Sequence, residues 1–90
     1  MTGVAKTIML GKEYDEELKA RLVATLISLG AVHLSSDWAV AGSQELAGFS
    51  VSLSGEILKV ESETYVGLSI FGPAELVDEI IFAMNARQQI

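Results

Sequence analysis

The chain has ninety residues, half of them apolar, and its twelve acidic side chains outnumber the six basic ones to give a net charge of −6. This length predicts a single α+β domain over residues 1–90, and the acidic balance argues against nucleic acid or a membrane as partner, because both are anionic. The absence of cysteine excludes disulfides and thiolate metal sites. The first residues do not resemble a signal peptide, and no apolar run is long enough to cross a bilayer, so we expect a cytoplasmic protein.

The first two predicted elements are a strand and a helix. Apolar side chains on one face predict the strand over residues 4–10. Residues 14–29 are predicted to form a helix, because leucines recur on one face every three or four positions. That stripe consists of Leu18, Leu22, Leu26 and Leu29. Acidic residues in the first turn suit the helix dipole, and Gly30 is placed to end the helix.

The segment from residue 31 to residue 45 gives a weaker pattern. Its apolar residues suggest a strand over residues 31–41 that is broken or bulged at Ser35, Ser36 and Asp37. This interpretation puts Trp38 in a loop-like segment. Residues 42–45 are then predicted to be a loop.

Three alternating apolar runs between residues 49 and 71 predict three strands of an antiparallel meander. They are Phe49, Val51 and Leu53, then Leu58 and Val60, then Val66, Leu68 and Ile70. Each run alternates with polar or small residues, which indicates strands with one face on the core and one face outside.

The register of this meander follows from its turns. A two-residue turn at Gly55 and Glu56, of type II′, predicts the first hairpin. It pairs Leu53 with Leu58 and Val51 with Val60. A three-residue loop over residues 62–64 predicts the second hairpin. It pairs Val60 with Val66 and Leu58 with Leu68.

Gly72 and Pro73 stop the last strand, and proline suits the first position of a helix predicted over residues 74–86. The predicted order is therefore β-α-β-β-β-β-α. Two amphipathic helices on one face of a mostly antiparallel sheet of four to five strands form a two-layer sandwich. This architecture is similar to a ferredoxin-like sandwich that lacks the usual strand after the second helix.

No pattern in the sequence indicates catalysis, a cofactor or a metal site. His33 is the only histidine, and the serines and aspartate that follow it lack the strand-turn-helix surroundings of a nucleophile. Glu61 and Glu63 are more typical of solvated charges at a sheet edge than of an acid–base pair. We therefore expect a non-enzymatic protein with neither cofactor nor metal.

Several apolar residues exceed what a simple core needs, and they suggest a partner surface. The interface candidates are Phe82, Trp38, Val23, Ile27 and Tyr65. The leading hypothesis is an acidic protein–protein interaction or accessory, regulatory domain that forms a homodimer, with a basic protein as a further partner. The alternative is a small-molecule-binding module that uses a cleft between sheet and helices or at a dimer interface.

Overall fold

The structure is a computed structural model, and it describes residues 4–88. The elements follow the predicted order β-α-β-β-β-β-α. Their bounds are β1 Ala5–Gly11, α1 Glu16–Ser28, β2 Val32–Ala41, β3 Gln44–Leu53, β4 Glu56–Glu63, β5 Gly67–Pro73 and α2 Ala74–Gln88. The predicted α+β class, the two helices and the strand count are confirmed.

The five strands form one sheet in the order β1-β5-β4-β3-β2, and every neighbouring pair is antiparallel. The last four strands are a simple meander. β1 lies against β5, so β1 and β2, which are joined through α1, end up at opposite edges of the sheet.

The core lies between the two helices and one face of the sheet. Both helices contribute to the same buried cluster, so they cover the same face. The strands contribute Val51, Leu53, Leu58, Val60, Leu68 and Ile70, and the helices contribute Leu18, Leu22, Leu26, Leu76, Val77, Ile80 and Met84. The alternating strand residues and the leucine stripe predicted from the sequence therefore supply most of it.

Helix α1 starts two residues later than predicted because Asp15 is its N-cap. The Asp15 carboxylate accepts a hydrogen bond from the Leu18 backbone N–H at 3.0 Å. A carboxylate at this position satisfies one of the unpaired N–H groups of the first turn. Thr25 is the buried polar residue of the core, and its hydroxyl donates to the Arg21 carbonyl at 2.8 Å. The Thr25 hydroxyl thus enters the core already paired.

The strand predicted over residues 31–41 is confirmed as β2, but the loop predicted over residues 42–45 and the loop-like setting of Trp38 are wrong. β2 is a continuous ten-residue strand, and Trp38 lies within it, paired with Ala47 of β3. The only irregularity in this pairing is a shift of register between His33 and Ser35, close to the predicted bulge. The predicted loop shrinks to a two-residue turn between Ala41 and Gln44. A one-residue bulge lets the strand continue without losing its ladder.

The predicted register of the first hairpin is also wrong, by two residues. Leu53 pairs with Glu56 and Val51 with Leu58, and the turn is Ser54 and Gly55. Both turn residues have positive φ, 55° and 77°, which is the conformation of a type I′ turn. The even shift keeps every side chain on its predicted face.

The register of the second hairpin is wrong by four residues, which again keeps every paired side chain on its predicted face. Its three-residue loop is residues 64–66, and Val60 pairs with Ile70 where Val66 was expected. Val66 therefore leaves the core and is 52% exposed. The observed register is better for packing, because it aligns large apolar side chains across four neighbouring strands. That row is Phe49, Val60, Ile70 and Ile8.

Pro73 is the last residue of β5 and not the first residue of the helix, and α2 begins at Ala74, as predicted. The Ala74 backbone N–H donates to the Val4 carbonyl at 2.9 Å. The Lys6 ammonium reaches Asp78 of α2 at 2.6 Å. These two contacts fasten β1 to α2.

Candidate functional site: the free sheet edge and the cleft beside it

β2 is an edge strand whose ten residues are all exposed. It contains neither lysine, arginine nor proline, and Asp37 is its single carboxylate. Natural edge strands commonly carry such residues, because they block pairing with another chain. β2 lacks that protection and presents an accessible row of backbone donors and acceptors.

The side chains of β2 on the helix-facing side include two large apolar groups. Trp38 is 67% exposed, and its indole N–H donates to the Glu45 carboxylate on β3. Val40 lies two positions further along and is also exposed. The hydrogen bond to Glu45 holds the tryptophan ring over the sheet without burying it.

A cleft of about 590 Å³ lies between the first half of α1, the loop before it, and the helix-facing side of β2, β3 and β4. It lies on the side of the sheet away from α2, which packs on β5 and β1. Its floor includes Leu22, Val60 and Leu68, which are buried residues of the core edge, together with the half-buried Phe49. The volume lies within the range typical of small-molecule pockets.

The border of this cleft is polar and mainly acidic. Glu13, Glu16 and Glu45 line it, against Lys19 as the matching base. Lys19 and Glu16 approach each other at 3.5 Å on neighbouring turns of α1. Since that pair is mutually compensated, Glu13 and Glu45 leave a net negative charge at the border.

The loop before α1 is fixed by contacts at both of its ends. The Glu13 carboxylate accepts a hydrogen bond from the Tyr65 backbone N–H at 3.2 Å, which joins this loop to the turn between β4 and β5. Lys12 lies over the Tyr14 ring, 5.7 Å from its centroid. The pKa of Lys12 is raised, first because its side chain hydrogen-bonds Tyr14 and second because of the charge interaction with that group. These contacts hold one wall of the cleft in place.

The five interface candidates do not share one element. Trp38 lies on the free edge, and Val23 of α1 lines the cleft. Ile27 is exposed on α1, Phe82 is exposed on α2, and Tyr65 lies in the turn between β4 and β5. The structure therefore places two of them, Trp38 and Val23, on the region formed by β2 and the cleft. Their role in an interface stays a prediction, as does the basic protein partner.

The catalytic candidates are not arranged for catalysis. His33 Nε2 lies 2.8 Å from Ser36 Oγ, and both side chains are exposed. Asp37 follows Ser36 directly, and successive side chains of a strand point to opposite faces, so a histidine–serine–aspartate relay is not assembled. The carboxylate of Glu61 is 3.5 Å from Lys59, and that of Glu63 accepts from Gln44 at 2.7 Å, so each has a structural partner.

Two searches of residues 4–88 gave negative findings. No three histidine, aspartate or glutamate side chains among them come together in a way that could hold a metal ion. Neither helix in this part of the chain is long and apolar enough to cross a membrane.

Comparisons with protein-family models, with curated proteins and with solved structures find no match to this chain. The edge strand and the cleft are therefore the features of the molecule that indicate a function.

The sequence suggested a cleft between sheet and helices but not the residues that line it, because they come from five separate segments. One signal was present. Helix-facing positions of the strands usually carry large apolar residues, whereas Ser36, Ala47 and Ser62 occupy such positions. Small side chains on a core-facing row indicate a place where the opposing layer is missing. Once the strand register is known, this row of small side chains shows where the cleft lies.

Proposed function

We propose that the protein is a non-enzymatic interaction module that dimerises by antiparallel pairing of β2 with β2 of a second copy. One observation carries the proposal: a ten-residue edge strand is exposed along its whole length. Pairing would join two five-stranded sheets into one of ten strands and would cover both free edges. A closed two-fold dimer is the commonest assembly of small proteins.

The hairpin between β2 and β3 determines which groups face the free edge. Ala41 and Gln44 close a two-residue turn, and in such a turn the first carbonyl bonds the fourth N–H. Bonded and non-bonded pairs then alternate along the ladder. Ala39 and Ala41 therefore point their backbone groups at β3, whereas Trp38 and Val40 point theirs at the free edge.

Charge selects a register for the paired strands. If the two-fold axis passes beside Trp38, the two tryptophans lie opposite each other and Val40 faces Ser36 of the second copy. Asp37 then faces Ala39. Centring the pair on Asp37 would instead oppose two carboxylates directly, which is unfavourable. We therefore place Trp38 at the centre of the dimer.

The net charge of −6 opposes association of two copies at low salt. The edge itself carries a single carboxylate, so its contacts are backbone hydrogen bonds and apolar side chains. Added salt screens the repulsion between copies and leaves those contacts intact. Dimerisation should strengthen, or at least persist, as salt rises.

Sedimentation at tens of micromolar protein tests the proposal with a matched pair of variants. Val40→Lys puts a charge on the free edge, and Phe82→Lys makes the same kind of change on α2, at a side chain that is also exposed. We expect a two-chain mass for the natural sequence and for Phe82→Lys. For Val40→Lys we expect the dissociation constant to rise at least tenfold, about 1.4 kcal/mol.

Two results would contradict this proposal. One is a one-chain mass for the natural sequence at every salt concentration. The other is a Phe82→Lys variant that dissociates while Val40→Lys remains dimeric, which would move the interface to α2.

We also propose a cytoplasmic location, which the cysteine-free sequence suits.

A further inference from the structure

We infer that the cleft beside β2 binds a small organic cation, an ammonium group attached to an apolar, preferably aromatic, body. The inference is independent of strand pairing, because the cleft opens on the helix-facing side of the sheet and not at its edge.

The floor of the cleft accounts for the apolar part of this ligand. Leu22, Val60 and Leu68 belong to the buried core, and they meet the cleft at its deepest side. Phe49 adds a half-buried aromatic ring beside them. Since Leu22, Val60 and Leu68 are already buried, a flat apolar body placed here would gain affinity mainly by removing its own surface and the exposed part of Phe49 from water.

The acidic border of the cleft explains why the ligand carries an ammonium group. The Glu45 carboxylate accepts the Trp38 indole N–H, and the Glu13 carboxylate accepts the Tyr65 backbone N–H. Neither donor is a cation, and a carboxylate has capacity for further hydrogen bonds. Lys19, the base among the lining residues, is already close to Glu16. An ammonium group is therefore attracted to the border, and a carboxylate is repelled.

Three probes of similar size separate charge from shape: 2-phenylethylamine, 3-phenylpropanoate and 3-phenylpropan-1-ol. Titration calorimetry of the full chain measures each affinity, and backbone amide NMR shifts locate the binding site. We expect the amine to bind at least about tenfold more tightly than the carboxylate, with the alcohol between them. Added salt should weaken binding of the amine and leave the alcohol unchanged.

Variants test whether the cleft is the site. Ala47 lines the cleft with a small side chain, so Ala47→Phe should fill it and abolish binding of all three probes. Glu45→Gln should bring the affinity for the amine close to that for the alcohol. Glu79→Gln, which removes an exposed carboxylate of α2 outside the cleft, is the matched control and should change nothing.

The inference is overturned if the carboxylate binds as tightly as the amine, if no saturable binding of the amine occurs, or if Ala47→Phe folds and still binds it. Should Ala47→Phe fail to fold, the NMR map of the natural sequence decides. Shifts concentrated at Phe49, Val60 and Ser62 support the site, and shifts elsewhere overturn it. Repeating the titration with a Val40→Pro variant separates the two proposals, because it removes an edge-facing N–H without placing a cation opposite Glu45. It should abolish pairing and keep the binding of the amine.

Discussion

The two edges of the sheet are built differently. β1 has seven residues, a shift of register between Met9 and Gly11, and a lysine that turns toward α2. β2 has ten residues, and all of them are exposed. A short, irregular strand with an inward lysine resists pairing with another chain, whereas a long strand with a single carboxylate and no lysine favours it. The contrast indicates that one edge is closed by the fold itself and the other is left for a partner.

The largest losses of stability are expected when buried residues on the strands next to each edge are replaced. Leu68 lies on β5 beside β1, Val51 lies on β3 beside β2, and both are buried in one core. Replacing either with alanine should lower the free energy of unfolding by about 2–4 kcal/mol, with valine at the lower end. Val40→Ala on the exposed edge should cost less than about 0.5 kcal/mol. Urea unfolding at low protein concentration measures all three, and a negligible cost at Leu68 or Val51 would contradict the burial.

Proline substitutions test which backbone groups of β2 are free. Ala39→Pro should remove a hydrogen bond to β3 and cost at least about 2 kcal/mol. Val40→Pro removes an N–H that faces the free edge, so it should cost less than about 1 kcal/mol in the monomer. The same Val40→Pro variant should lose the two-chain mass in sedimentation. If the two prolines destabilise the monomer equally, the assignment of inward and outward groups is wrong.

The smallest change in stability is expected at the β1 edge, where Lys6 is replaced. The Lys6 and Asp78 side chains are 36% and 60% exposed, so solvent screens their ion pair strongly. Lys6→Gln should therefore change the free energy of unfolding by less than about 1 kcal/mol. Its mass in sedimentation should equal that of the natural sequence. Species larger than a dimer would instead show that Lys6 is what keeps β1 from pairing.

The sequence predicted the elements well because each has its own period. The leucine stripe of α1 repeats every three to four residues, and the strands of the meander alternate every two. The registers of the two hairpins were predicted wrongly for a related reason: a slip of two or four residues keeps the same faces, so alternation cannot detect it. Only the position of the turn fixes the register of the first hairpin, and both Ser54–Gly55 and Gly55–Glu56 contain a glycine that suits a two-residue turn.

The uninterrupted course of β2 through Trp38 and the residues that line the cleft were not predicted, for a different reason. A strand exposed on both faces has no need of alternating apolar residues, so residues 32–41 gave a weak signal. The cleft depends on where α1 lies relative to β2, which is a property of the whole fold. Trp38 was recognised as a surplus apolar residue, but its place on an edge strand follows only from its pairing with Ala47.

The pairing of β1 with β5 also sets the order in which the chain can reach its final form. Ile8 lies beside Ile70, so these partners are separated by about 60 residues of chain. At synthesis rates of roughly 5–20 residues per second, β1 leaves the ribosome about 3–12 s before the strand that it needs. The meander from β2 to β5 can form from neighbouring segments as each one emerges. The strand that is made first is thus the one whose place in the sheet becomes available last.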